Sequence, residues 1–130
     1  MASAAAAREP DSQPALRTLA MPADANPNGD IFGGWVLSQM DVAGGVPAVE
    51  RAQGRIATVA VEAMRFHQPI FIGDLVSCYA TITRVGTTSI TVHIQTWARR
   101  HRSGEAVLVT EGTFVYVAID EEGRPRPVPK

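Results

Sequence analysis

From Ile56 onward apolar and polar side chains alternate. Val76, Cys78, Ala80 and Ile82 take one parity and Ser77, Tyr79, Thr81 and Thr83 the other, and Ile90, Val92 and Ile94 repeat the pattern against Thr91, His93 and Gln95. A period of two is that of a strand whose faces meet different surroundings. The pattern predicts four long strands, over Ile56 to Phe66, Leu75 to Val85, Ser89 to His101 and Ala106 to Ile119. Arg84-Val85-Gly86-Thr87-Thr88 reads as a tight hairpin between the second and the third.

Upstream the period changes. Between Gly33 and Gln53 the apolar residues Val36, Leu37, Met40, Val46 and Val49 recur without alternation, and Gly54 closes the segment. This predicts one helix of about twenty residues, roughly 30 Å long at 1.5 Å per residue. Pro47 inside it removes an amide and presses on the Ala43 carbonyl, which predicts a bend one to two turns beyond Asp41. Ala15 to Met21 reads as a short first strand ended by Pro22, followed by a loop rich in Asp24, Asn26, Pro27, Asn28 and Gly29. Met1 to Pro14, MASAAAAREPDSQP, carries no period that could bury a face, so residues 1–14 are expected to form a disordered tail and residues 15–130 a single domain.

One long helix followed by strands predicts an α+β domain, an antiparallel sheet wrapped around one central helix. A single helix covers only one face of a sheet, and Phe71, Tyr79 and Trp97 are expected to add apolar surface. Self-association is expected, with antiparallel edges as a route to a continuous sheet.

Composition narrows the field. With 130 residues and 45% hydrophobic content the chain supports one core. Twelve Lys and Arg stand against thirteen Asp and Glu, so no global field favours nucleic acid or an anionic membrane, and an anionic ligand must be met locally. The single Cys78 has no partner for an internal disulfide and falls in an alternating strand, which predicts core packing. No run reaches the ~18 apolar residues of a membrane span, and Met1 to Ala7 lacks a long apolar stretch behind a basic start. Cytoplasmic residence is the expectation, and no metal or cofactor is called for.

The stretch with the most chemistry is Asn28 to Asp41, NGDIFGGWVLSQMD. Amides at a helix start lack intrahelical partners, and Gly33 and Gly34 have no side chains to keep a ligand oxygen away from them. Asp41 lies among apolar neighbours, where a carboxylate without a purpose is expensive. Helical spacing sets Gly34, Ser38, Asp41 and Gly45 along one stripe, with Gly44 beside it, so a groove lined by small residues is expected around Asp41.

Three segments together, AMPADANPNGDIFGGWVLSQMD, RIATVAVEAMRFHQPIFIGD and VGTTSITVHIQTW, resemble the hotdog-fold acyl-CoA thioesterases of the YciA type, over roughly Leu16 to Pro129. The resemblance implies hydrolysis of acyl-CoA to a free acid and coenzyme A, in an oligomer whose active sites lie between paired subunits, commonly a trimer of dimers. It implies that the catalytic carboxylate of the helix is Asp41 and that the polar residue before the helix is Asp30. The family's Gly-Thr-Thr-Ser turn falls on Gly86 to Ser89. Pro47 departs from the ordinary helix formers of relatives.

On this reading the thioester oxygen sits against the amides of Gly33 and Gly34, where one donor is worth roughly 3 kcal/mol. Asp41 either activates a water or attacks the carbonyl to give an anhydride; the sequence leaves both open. A structural carboxylate at Asp41 and an N-cap at Asp30 are the alternatives. Asn28 and Phe32 flank the helix entry as substrate contacts. Arg99 and Arg100 offer guanidinium groups to the phosphates of coenzyme A, as do Arg124, Arg126 and Lys130, unless they are solvated ends. Thr87, Thr88 and Ser89 offer hydroxyls for the same purpose, or ordinary turn chemistry. His67 is a candidate for the acyl or pantetheine channel, and Trp35, Met40, Met64 and Phe66 for the pocket wall. Two other classes compete: an acyl-thioester hydratase or dehydratase, disfavoured by Asp30 where such proteins place His, and a non-hydrolytic acyl-CoA-binding protein, which needs an idle Asp41.

Overall fold

The computed structural model describes residues 8–130. Along the chain run β1 (Leu16–Leu19), a 3-10 turn (Pro22–Asp24), α1 (Gly33–Ala52), β2 (Ile56–Phe66), β3 (Leu75–Val85), β4 (Ser89–Arg99) and β5 (Ala106–Ala118). The helix and the four strands stand where the two periods placed them. β4 stops two residues short of the expected His101, because the Gly104 amide donates to the Arg100 carbonyl at 2.9 Å and closes a turn there. Of the segment expected as a tail, residues 1–7 lie outside the described residues. In the remainder Glu9 accepts a hydrogen bond from the Tyr79 hydroxyl at 2.7 Å and pairs with Arg99 at 3.0 Å.

The five strands form one antiparallel sheet in the order β1-β3-β4-β5-β2, and α1 touches every strand. The parity read from the sequence decides the faces: Val76, Cys78, Ile90, Val92, Ile94, Phe114 and Tyr116 meet Val36, Met40, Ala43 and Ala48 of α1 in the core. Gly44 makes the approach close. A Cβ there would overlap the Tyr116 hydroxyl and stand 2.6 Å from Ile94 Cδ1. On the opposite face Tyr79, Trp97 and Leu108 form a second buried cluster. Tyr79 and Trp97 are therefore not the expected exposed apolar surface; Tyr79 is 7% and Trp97 2% exposed.

The helix runs unbroken through Pro47. Its stop differs from expectation by one residue: Gln53, not Gly54, adopts the left-handed conformation, with φ 53°. The Gln53 amide then reaches the Glu50 carbonyl and the Gly54 amide the Val49 carbonyl, the two bonds of a Schellman ending. Arg126 Nη2 donates to the Ala52 carbonyl at 2.8 Å, and Arg51 donates to the Pro129 carbonyl, so both guanidiniums serve backbone oxygens at this end. Among the described residues no helix is long and apolar enough to cross a membrane.

The strand β2 lies at a sheet edge and is irregular. Its register against β5 shifts between Thr58 and Ala60 and again between Glu62 and Arg65. Each extra residue flips the parity of the residues beyond it. As a result Thr58, Val61, Met64 and Phe66, which strict alternation would scatter over both faces, all turn toward α1 and line one cavity.

Candidate active site

That cavity is an open groove of about 370 Å³, walled by Leu37, Ser38 and Asp41 of α1, the four β2 residues, and Phe114 of β5. Its walls are largely apolar, and Asp41 is the one carboxylate on them. Helical spacing brings Leu37, Ser38 and Asp41 to the same side of α1. Asp41 is half-buried. Thr58 Oγ1 donates to Asp41 Oδ1 at 2.6 Å, and the Tyr116 hydroxyl donates to the Asp41 carbonyl at 2.8 Å. Burial, reinforced by the neighbouring Asp41, holds the Tyr116 phenol well above its ordinary pKa, so it stays protonated and donates. The carboxylate is thus held by one strand and its backbone by another, and among the described residues its second oxygen has no hydrogen-bond partner.

The expected stripe of small residues is only partly the groove. Ser38 lines it, but Gly44 is packed against Tyr116 and Ile94, and a Cβ on Gly45 would lie 3.8 Å from Ile56. Among the expected wall residues Met64 and Phe66 are in place. Met40 is fully buried in the core, and Trp35 packs against that core rather than on the cavity. Thr58, Val61, Phe114 and Tyr116 escaped sequence reasoning. The bulges of β2 hid Val61, Thr58 read as one more polar strand position, and the last two read as plain core positions of a regular strand.

At the helix entry Phe32 occupies the cap position, half-exposed and without a side-chain cap. Asp30 stands two residues earlier, so it is not the N-cap, and it does not line the cavity. Its backbone bridges Phe71, while its amide and that of Asn28 donate to Asn26 Oδ1 at 3.2 and 2.9 Å. Among the described residues the Gly33 and Gly34 amides have no hydrogen-bond partner. Gly34 faces open space, and a Cβ on Gly33 would lie 3.7 Å from the Phe66 ring, which puts the free amides beside the cavity wall.

The remaining candidates lie elsewhere. Thr87, Thr88 and Ser89 form the β3–β4 turn at the far end of α1. The Thr87 carbonyl accepts from the Val128 amide and the Thr88 carbonyl from the Ala118 amide. With Arg51 and Lys130, Thr87 lines a second cavity of about 480 Å³. Arg99 is paired with Glu9, and Arg100 with the buried Asp74 at 2.5 Å. His67, expected along a substrate channel, instead pairs through Nε2 with Glu111 Oε2 at 2.9 Å, and His93 approaches the other Glu111 oxygen at 3.5 Å. Glu111 adjoins the core residue Gly112 in β5, so alternation turns this group to the face away from α1. Cys78 is buried as expected, its thiol pushed up to about 11 by desolvation, against which a hydrogen bond to Thr96 acts. Among the described residues no group of three or more His, Cys, Asp or Glu is placed to hold a metal ion.

This geometry has relatives. Residues 28–105 match the family described as the thioesterase superfamily. The chain is 51% identical over 123 residues to the acyl-CoA thioester hydrolase YciA of Salmonella typhimurium, with 92% of each chain covered. To the protein of the same name from Escherichia coli strain K12 it is 50% identical over 123 residues, covering 92% of this chain and 93% of that one. It superposes on a hexameric thioesterase from Yersinia pestis with a TM-score of 0.89 at 49% identity, over 94% of this chain and 100% of that one. A hexameric hotdog fold thioesterase of Campylobacter jejuni gives a TM-score of 0.87 at 40% identity, over 91% of both chains. With a matched span that carries the helix entry, Asp41 and the whole of β2, the chain belongs to the thioesterase superfamily and has its hotdog fold.

Proposed function

We propose that this protein hydrolyses the thioester of acyl-CoA to a free carboxylic acid and coenzyme A, with Asp41 as general base or nucleophile and the Gly33 and Gly34 amides as the oxyanion site. The observation that carries this reading is the single carboxylate of an otherwise apolar cavity, held at 2.6 Å by Thr58. The apolar walls suit an acyl chain, the carboxylate suits activation of water or attack on the carbonyl carbon, and free helix-start amides suit the charge that develops on oxygen. Hydration chemistry finds less support, since His67 is engaged with Glu111 away from the cavity.

The active unit is a dimer. Asp41 lies seven residues beyond Gly34 on α1, about 10 Å along the axis, whereas a base and an oxyanion donor must both reach one carbonyl within about 3 Å. A two-fold partner whose helix runs antiparallel brings its own Gly33 and Gly34 to this Asp41. The exposed Val42, Val46 and Val49 on α1 supply the surface for that pairing, the sheet edge at β2 extends it, and three such dimers make the assembly that the hexameric relatives display. The phosphates of coenzyme A then run to the rim, where Thr87, Thr88 and Ser89 are candidate contacts, with Asn28 and Phe32 at the helix entry.

The test is thiol release from a panel of acyl-CoA esters. Asp41→Asn, still folded by circular dichroism, is expected to lose at least about 10³-fold in kcat, the scale of a missing general base or nucleophile. Asp30→Asn is expected to lose less than tenfold, since Asp30 acts from the loop. A wild type that releases no thiol from any ester, or an Asp41→Asn variant that keeps its rate, overturns the reading.

A further inference from the structure

Arg100 and the buried Asp74 form an ion pair that nothing in the proposed chemistry uses. Asp74 is 2% exposed, and the Arg100 side chain 16%. Arg100 Nη1 donates to Asp74 Oδ2 at 2.5 Å and to the Pro69 carbonyl at 3.0 Å, and its guanidinium carbon stands 4.7 Å from the centre of the Phe71 ring. The same Asp74 oxygen accepts from the Phe71 amide at 2.9 Å. One fork therefore holds both ends and the middle of the loop 69–74.

That loop is the neighbour of the helix entry. The Ile31 amide donates to the Ile70 carbonyl at 2.9 Å, and Asp30 bridges Phe71. On its other side the Ala20 amide donates to the Asp74 carbonyl and the Gly73 amide to the Ala20 carbonyl. Ile31 is buried and stands two residues before Gly33. The loop also continues directly from Phe66, which walls the cavity.

Resting on the thioesterase reading, we infer that Arg100 is a positioning residue: through Asp74 and the loop 69–74 it fixes the Asp30–Ile31 segment, and so the place of the Gly33 and Gly34 amides, rather than binding a phosphate of coenzyme A. An arginine is suited to this because its planar fork holds several acceptors at once with little entropy lost per bond. The pair is closed to a phosphate because its charge is already spent on a buried carboxylate.

The experiment compares wild type, Arg100→Lys and Arg100→Gln on an acyl-CoA and on the matching acyl-N-acetylcysteamine thioester, which has no phosphate. Misplacement of an oxyanion donor by about 1 Å costs up to about 10²-fold, so kcat is expected to fall between about 10-fold and 10²-fold on both substrates by the same factor. Hydrogen exchange at the Ile31 amide is expected to quicken, while the β4 amides keep their protection. A rise in KM for acyl-CoA alone, with the truncated thioester unaffected, overturns the inference in favour of phosphate binding. Unchanged exchange at Ile31 in a folded variant also overturns it, and so does loss of the whole fold in both variants, which would make the pair a support of the domain at large. A wild type inactive on both substrates sinks the thioesterase reading, while the exchange at Ile31 still decides whether Arg100 orders the helix entry.

Discussion

Asp41 is held at two levels, its carboxylate by Thr58 and its carbonyl by Tyr116. A hydrogen bond to a charged group contributes about 1.5–3 kcal/mol. Thr58→Val keeps the shape and removes the donor, so kcat in the thiol-release assay is expected to fall about tenfold, with less than twofold change in KM. Protons held by burial have a second consequence. Cys78, raised from 9.0 to about 11, and Tyr116, raised above 10.0, are both easier to deprotonate in the unfolded chain. Above pH 9 the unfolded state therefore binds fewer protons than the native one, and stability falls as pH rises. The urea midpoint is expected to drop between pH 9 and 11. Cys78→Ala should flatten that slope; a slope equal to wild type would refute the assignment to the buried thiol.

At the scale of elements, the site is the product of one regular helix and one irregular strand. The second bulge of β2 places Ala63 at φ 51° and sets Met64 directly over Gly112. A non-glycine residue held there costs about 1–2 kcal/mol, sustained because the bulge turns Met64 into the cavity. Gly112→Ala puts a Cβ into the Met64 sulfur and is expected to destabilise by about 2 kcal/mol. Met64→Ala in the same chain should recover most of that loss in denaturant unfolding, a coupling that independent sites would not show. Met64→Ala alone opens the cavity and is expected to shift kcat/KM toward longer acyl chains.

For the molecule as a whole, the surface left uncovered is informative. Val42, Val46 and Val49 on α1 are 59%, 43% and 44% exposed, and Val59 and Val61 on the edge strand are 57% and 46% exposed. Exposed apolar side chains on these two elements are the kind of surface that the dimer proposed above would cover. Val46→Asp combined with Val49→Asp would leave an isolated monomer within about ±0.5 kcal/mol per site. In the assembly proposed above the double variant is expected to light-scatter as a smaller species and to lose thiol release, because Asp41 is parted from the partner's helix entry. A variant that keeps the wild-type mass places the interface elsewhere.

Much of this was written in the order of residues. A period of two and a change of period fixed the helix and four strands to within two residues, because burial on one face is a local demand that each segment meets by itself. The Gly33-Gly34 entry and Asp41 were legible for the same reason, since free amides and a carboxylate among apolar residues stand out in any fold. What alternation could not express was a strand that breaks it. Val61 joined Thr58, Met64 and Phe66 in the cavity only because two bulges, set by pairing with β5, flipped parity on either side of it. The fates of the charged residues were likewise decided in three dimensions: Arg100 found Asp74, His67 found Glu111 and Arg126 found the last carbonyl of α1. Each partner lies 26 to 74 residues away. Local pattern determines which segments bury a face, and long-range pairing determines which polar groups meet across them.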